Sequence, residues 1–261
     1  MRYINFVFSI ILGLFITQIS YGDIINEDEF ERNSEVNASN TFITISLGCN
    51  CHPACFTRLY GIRFFASPFD WVATPYQALY KFIKNDFNDF FKKENLVAPS
   101  PEMNFSDAVQ LLIAELKHIS RNEYAGWILD KESGMFSIHD FPSHTHEAID
   151  QCHELEYEKY QRRIKRFYNE INSGKHVYFI RYLNITKKEA YDLYQLIKLK
   201  FPKTSFTLIV IGNTAVEFDQ DWGIFGIKNF FIDVEFVAGK PFEENLFWQK
   251  LCGYISSGSL L

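Results

Sequence analysis

The chain has 261 residues, 47% of them hydrophobic and 22% charged, with 13 Gly and 8 Pro. This excludes collagenous, low-complexity and wholly disordered classes and leaves ample apolar material for a core. A formal charge of −6 speaks against a nucleic-acid protein whose affinity rests on neutralising phosphates.

No internal repeat or Pro/Ser/Gly-rich linker marks a mid-chain boundary, so the expected organisation is a signal peptide over 1–22, a poorly ordered acidic lead-in over 23–40 and a single domain over 41–261. The leader is read from Arg2, a charge-free stretch after it, and small residues at Ser20-Tyr21-Gly22. Its apolar core is shorter than the roughly 20 residues needed to cross a bilayer. The expected location is therefore secreted or periplasmic, with no stable membrane insertion after cleavage. Export would permit disulfides among Cys49, Cys51, Cys55, Cys152 and Cys252, an odd set that leaves at least one thiol unpaired. Cys152 and Cys252 are expected to be spectators or partners of each other.

Residues 41–47 alternate apolar and polar side chains and stop at Gly48, the pattern of a strand entering a tight turn. Pro53 suits the first position of a helix and Gly61 the residue beyond its end. Helical spacing recurs over 75–93 and 106–120. Two short apolar runs around Asp130-Lys131-Glu132-Ser133-Gly134 predict a hairpin. A long helix is predicted over 147–173. The near-continuous apolar runs at 176–182 and 206–211, with a helix over 187–200 between them, predict a crossover and hence parallel strands. A strand at 229–236 and a helix at 244–254 close the chain. The expected architecture is α/β: a central, mostly parallel sheet with a β-hairpin and helices on both faces.

Chemistry is expected where the first strand ends. A strand, a glycine turn, Cys51 and a helix opened by Pro53 place a thiol beside backbone N–H groups and the positive end of a helix dipole, which favour the thiolate. The same donors suit an oxyanion. From position alone, a buried or disulfide-bonded cysteine is the favoured reading. Cys49, Cys51, His52 and Cys55, with His139, His144, His146 and His153, raise the question of zinc, but their spacings form no C-x₂-C knuckle. No metal or other cofactor is expected.

The segment Ile45-Ser46-Leu47-Gly48-Cys49-Asn50-Cys51-His52-Pro53-Ala54, followed by Gly61-Ile62-Arg63 and Ser67-Pro68-Phe69-Asp70-Trp71, resembles the DUF1796 family of papain-like cysteine peptidases. Ile138-His139-Asp140-Phe141, the run Tyr160-Gln161-Arg162-Arg163-Ile164-Lys165-Arg166-Phe167 and Tyr178-Phe179-Ile180-Arg181 extend the resemblance in order over roughly 41–215. It implies a Cys/His thiol hydrolase with Cys51 as nucleophile and His139 as base. It also raises a rearranged papain-like α+β fold as the alternative architecture.

Asp70, flanked by Phe69 and Trp71, is expected to orient His139, with Asp140 the rival; the other reading has Asp70 capping the helix near Pro75. Arg181, at a strand's carboxyl end, is expected to bind substrate together with Trp71 and Asp140. Arg162, Arg163, Lys165 and Arg166 read as a salt-bridged helix face. The expected function is an exported thiol hydrolase that cleaves a peptide or other acyl substrate, or transfers its acyl group. The competing class is a secreted binding protein, non-catalytic or metal-binding.

Overall fold

The computed structural model describes residues 40–99, 127–183, 185–212, 220–232 and 241–259, with 241–245 described by their backbone alone. The expected leader and the helix over 106–120 lie outside the described residues, as does all of the lead-in except Asn40.

In chain order the strands are β1 (Phe42–Ser46), β2 (Val72–Ala73), β3 (Leu96–Val97), β4 (Ile128–Asp130), β5 (Met135–Ser137), β6 (His176–Tyr182), β7 (Phe206–Gly212) and β8 (Ile227–Phe231). The helices are α1 (His52–Leu59), α2 (Tyr76–Lys84), α3 (His146–Ile171), α4 (Lys187–Lys200) and α5 (Pro241–Ser256). One four-stranded sheet runs in the order β1-β6-β7-β8, and every pairing in it is parallel. A second sheet, β2-β5-β4-β3, is antiparallel and contains the expected hairpin. The fold is α/β.

The alternation of side chains along buried strands explains the layering. Val177, Phe179, Leu208 and Val210 face one core, shared with Phe82, Phe167 and Leu193 of α2, α3 and α4. Tyr178, Ile180, Tyr182, Ile209 and Ile211 face the other, shared with Trp248 and Leu251 of α5 and with Phe56 of α1. The crossover α4 begins with a full capping box, Thr186 and Glu189 each bonding the other's backbone.

Helix α2 is shorter than its spacing predicts, because Asp86 (φ 56°) and Phe87 (φ 59°) are left-handed and cannot continue a right-handed helix. The aromatic stripe is buried all the same. Phe90 and Phe91 pack on Tyr160 of α3 at centroid separations of 5.2 and 4.4 Å. The last strand begins two residues before its predicted start, at Ile227.

The neighbours β1 and β6 feed helices on opposite faces of the sheet, α1 toward the second core and α4 toward the first. In parallel sheets, ligand crevices open beyond the carboxyl ends of such a strand pair.

Candidate functional site

The turn leaving β1 is held from three sides. Gly48 (φ 73°) and Cys49 (φ 67°) are left-handed, and a Cβ on Gly48 would stand 3.3 Å from Thr74 Oγ1 and 3.4 Å from the Phe69 carbonyl oxygen. A side chain there would have to adopt the rare left-handed backbone and push Thr74 aside by a few tenths of an ångström. Leu47 N–H donates to the Ile180 carbonyl (2.8 Å), and Thr74 N–H donates to that of Cys49 (3.1 Å).

Arg181 completes the turn. Its Nη1 donates to the Leu47 carbonyl at 3.0 Å and its Nη2 to the Thr74 carbonyl at 2.9 Å. The expected substrate-binding role is therefore corrected: Arg181 is 0% exposed, pointing to the sheet's first core rather than beyond the strand's end. It supplies hydrogen bonds to two carbonyls of buried residues, one on each side of the turn.

Cys51 is the N-cap of α1, and its side chain makes no capping bond. His52 N–H is taken by Asn50 Oδ1 at 3.0 Å, and Pro53 has no N–H. The first turn thus has fewer donors for an oxyanion than its position suggests. One turn on, Cys55 N–H donates to the Cys51 carbonyl (2.9 Å), and the two thiols are themselves hydrogen-bonded. That bond, together with the charges of His52 and Arg63, outweighs burial and the Asp70 charge and holds the Cys55 thiol below its ordinary value. Cys51 is nearly buried and Cys55 half-buried.

All five cysteines lie among the described residues and none is in a disulfide. Cys152 packs against the first core and Cys252 within the second, so the sheet separates them. Burial alone pushes the Cys252 thiol up to about 12.

Cys51 and Trp71 belong to one buried cluster, and the His139 ring stands edge-on to the Trp71 ring at 5.8 Å. His139 follows β5 by two residues in a bend, and its Nε2 is shielded from solvent without a hydrogen-bond partner among the described residues. Burial lowers its pKa; the Asp140 charge opposes this and the Lys159 charge adds to it.

Asp70 does not orient His139. Its Oδ2 accepts from Arg63 Nε (2.9 Å), Arg63 Nη2 (2.6 Å) and Ser67 N–H (2.8 Å). Nor does it cap α2, whose N-cap is Pro75. The Arg63 guanidinium lies 5.5 Å from the centre of the Trp71 ring, so Arg63 ties Asp70 to the tryptophan that His139 touches.

The carboxylate whose charge acts on His139 is Asp140. The strand ends at Ser137, so strand alternation no longer governs where Asp140 points. It accepts from Ser137 Oγ (2.5 Å) and Tyr160 Oη (2.6 Å) on Oδ2, and from Lys159 Nζ (2.7 Å) on Oδ1. With its side chain 2% exposed and both oxygens occupied, it is not a substrate ligand. Burial pushes its carboxyl up, but Lys159, Arg163 and the bonds from Lys159 and Ser137 together hold it well below the usual range. Lys159 also contacts Glu156, which burial and the Asp140 charge raise to about 7.

Helix α3 is thus more than a salt-bridged surface: Lys159, Tyr160 and Arg163 turn inward, and Arg163 acts on both Asp140 and Asp70. His144 and His146 are exposed, while His153 bonds the Phe91 carbonyl at 3.0 Å. Among the described residues no three His, Cys, Asp or Glu side chains gather as metal ligands. Trp71, expected against substrate, is 7% exposed and packs in the cluster that holds Cys51, edge-on to the His139 ring.

Sequence reasoning gave no catalytic part to Cys55, Arg63, Lys159 or Arg163. The signals were present: Cys55 stands four residues after Cys51, on the same helix face. Arg63 and Arg163 both lie inside recognisable segments.

A parallel sheet with a thiol pair at the head of the helix after its first strand, and a shielded imidazole in the adjoining cluster, has the parts of a Cys/His domain. The chain belongs to the family described as "Putative papain-like cysteine peptidase (DUF1796)", whose profile matches residues 43–208. That match runs from β1 into β7 and includes Cys51, Asp70, His139 and Arg181. A relative, "Uncharacterized protein R408" of Acanthamoeba polyphaga mimivirus, is 28% identical over 144 residues, which are 55% of this chain and 62% of the relative. The chain therefore spans less than two thirds of that relative's length. No solved structure matches.

Proposed function

We propose that this chain is a thiol hydrolase of peptidase type, or an acyltransferase working through the same intermediate, in which Cys51 is the nucleophile and His139 the base. The observation that carries the reading is the His139 Nε2, shielded from water, held beside Trp71 and without a hydrogen-bond partner among the described residues. A buried polar atom without a partner costs about 1–3 kcal/mol, a cost removed when a hydrogen-bonding group of a substrate or of the thiol reaches it.

Its lowered pKa keeps His139 neutral, hence able to accept a proton, at neutral pH. Cys51 sulfur attacks the carbonyl carbon of an amide or ester while His139 takes the thiol proton. The tetrahedral intermediate collapses as His139 returns the proton to the leaving amine or alcohol, giving a thioester. Water, or an acceptor nucleophile in the transferase case, then attacks that thioester with His139 again as base. Asp140, anchored by Lys159 and Tyr160, supplies the negative charge that favours the imidazolium. Asp70 instead fixes Arg63 under Trp71.

Brief exposure to p-nitrophenyl acetate should place an acetyl group on Cys51, and His139→Ala should slow its appearance at least about tenfold. An acetyl group only on other cysteines, or a rate indifferent to His139→Ala, overturns the reading in favour of a non-catalytic binding protein. A second candidate base is His52, whose charge acts on the Cys55 thiol. A loss on His52→Ala with none on His139→Ala would transfer the role. Export belongs to the same proposal, supported by the charge-free stretch after Arg2. Material recovered outside the cell should begin near Asp23, and recovery of Met1 there would refute it.

A further inference from the structure

We propose that Cys51 and Cys55 form a peroxide-sensitive dithiol that switches reversibly to a disulfide and so blocks the nucleophile. Only the loss of activity rests on the thiol-hydrolase reading; the pairing itself does not. The two side chains are hydrogen-bonded, and the residues are joined by a 2.9 Å helical bond. Helix geometry puts residues four apart at a Cα separation of about 6 Å, inside the disulfide range of roughly 4.4–6.8 Å. Their Cβ atoms, about 5–6 Å apart on a regular helix, must approach to roughly 4 Å.

The start of α1 allows that approach. Cys51 is the N-cap, at the very end of the helix, and its side chain is committed to no capping bond. The residual strain makes the bond easily reduced, which suits a switch rather than a structural staple.

Access and charge set the order of events. Cys55 is half-buried, and the charges of His52 and Arg63 favour its thiolate. Cys49 and Cys252 are 1% and 2% exposed, and Cys152 lies across the sheet. The Cys55 thiolate attacks one oxygen of a hydroperoxide. The O–O bond breaks, and the departing hydroxide or alkoxide takes a proton, leaving a sulfenic acid on Cys55. The Cys51 thiolate then attacks the Cys55 sulfur, the S–O bond breaks, and hydroxide leaves as water on protonation. The two thiols lose two electrons and two protons, which the peroxide accepts.

Titration of the full, reduced chain with hydrogen peroxide, read by intact mass and peptide fragmentation, should show loss of two hydrogens confined to the segment 51–55 and reversed by dithiothreitol. Cys51→Ser should stop at a Cys55 sulfenic acid trapped by dimedone, while Cys49→Ser should still pair. Phenylarsine oxide gives a reading that needs no substitution, because one arsenic should bridge Cys51 and Cys55 in the native protein. Direct passage to sulfinic acid, loss of two hydrogens in Cys51→Ser, or no bridged arsenical overturns the proposal. A chain that pairs these thiols yet takes no acetyl group on Cys51 sinks the hydrolase reading and leaves the dithiol standing. A chain that is acetylated on Cys51 and never pairs does the reverse.

Discussion

Asp70 and Asp140 are both shut away from water in adjoining parts of the site, yet burial wins at Asp70, whose carboxyl is raised, and loses at Asp140, whose carboxyl is lowered. Asp70 has one close cation, Arg63, and one N–H, all directed at a single oxygen. Asp140 has Lys159 at bonding distance, the nearby charge of Arg163, and hydroxyls from Ser137 and Tyr160, spread over both oxygens. A buried carboxylate is thus set by how many cations and donors it meets, not by depth. Asp140, the more fully served of the two, is the one positioned to act on His139.

The comparison can be broken most forcefully at Asp140. Asp140→Ala leaves Lys159 and Arg163 facing a site without its anion, and should cost about 3–5 kcal/mol in urea denaturation. A cost under about 1 kcal/mol would mean that the cluster is solvated and the contrast false. Asp70→Asn should cost less, about 1–2 kcal/mol, because the amide oxygen still accepts from Ser67 and Arg63. Equal costs would erase the distinction.

Arg163 joins the two regions, since its charge lowers both carboxyls. Arg163→Met combined with Asp140→Ala should therefore deviate from additivity by about 0.5–3 kcal/mol. A strictly additive pair would uncouple the helix from the carboxylate.

The smallest effects lie in pH dependence, and two groups work against each other. Glu156 is raised from 4.5 to about 7, so the folded chain holds its proton over that window and stability falls as pH rises through it. Glu156→Gln should flatten this slope, which cannot exceed about 1.4 kcal/mol per pH unit for one proton. His139 is lowered from 6.5, so the unfolded chain binds the proton first and stability falls as pH drops below about 6.5. His139→Ala should remove that acid-side loss. Melting curves over pH 4.5–8 separate the two, and curves unchanged by either substitution would show that neither group is perturbed.

Much of the fold was legible because strand and helix periodicities report burial directly. The segment His176–Tyr182 alternates between two cores as its apolar run implies, and the helix Lys187–Lys200 begins at its capping box. The stretch 75–93 misled because aromatic spacing signals which residues are buried, while the left-handed Asp86 and Phe87 decide where the helix stops.

Of the candidate site residues, Cys51 and His139 stand out in the sequence through motif and position. The partners of the carboxylates did not. Asp70 meets an arginine seven residues earlier, and Asp140 meets a helix 19 and 20 residues later. In a run with Arg162, Arg163, Lys165 and Arg166, no local pattern says which cation turns inward. Arg181 misled in the opposite sense: a base at a strand's carboxyl end suggests a ligand, but its actual acceptors are carbonyls 134 and 107 residues away in sequence.

That long reach has a consequence for the chain as it is made. The turn carrying Cys51 is synthesised early, but the guanidinium that ties it to Thr74, and the Ile180 carbonyl that receives Leu47 N–H, arrive only with β6. Until residue 181 has emerged and β6 has docked beside β1, the thiol has no fixed seat. The turn around Cys51 is therefore completed only when the middle of the sheet closes.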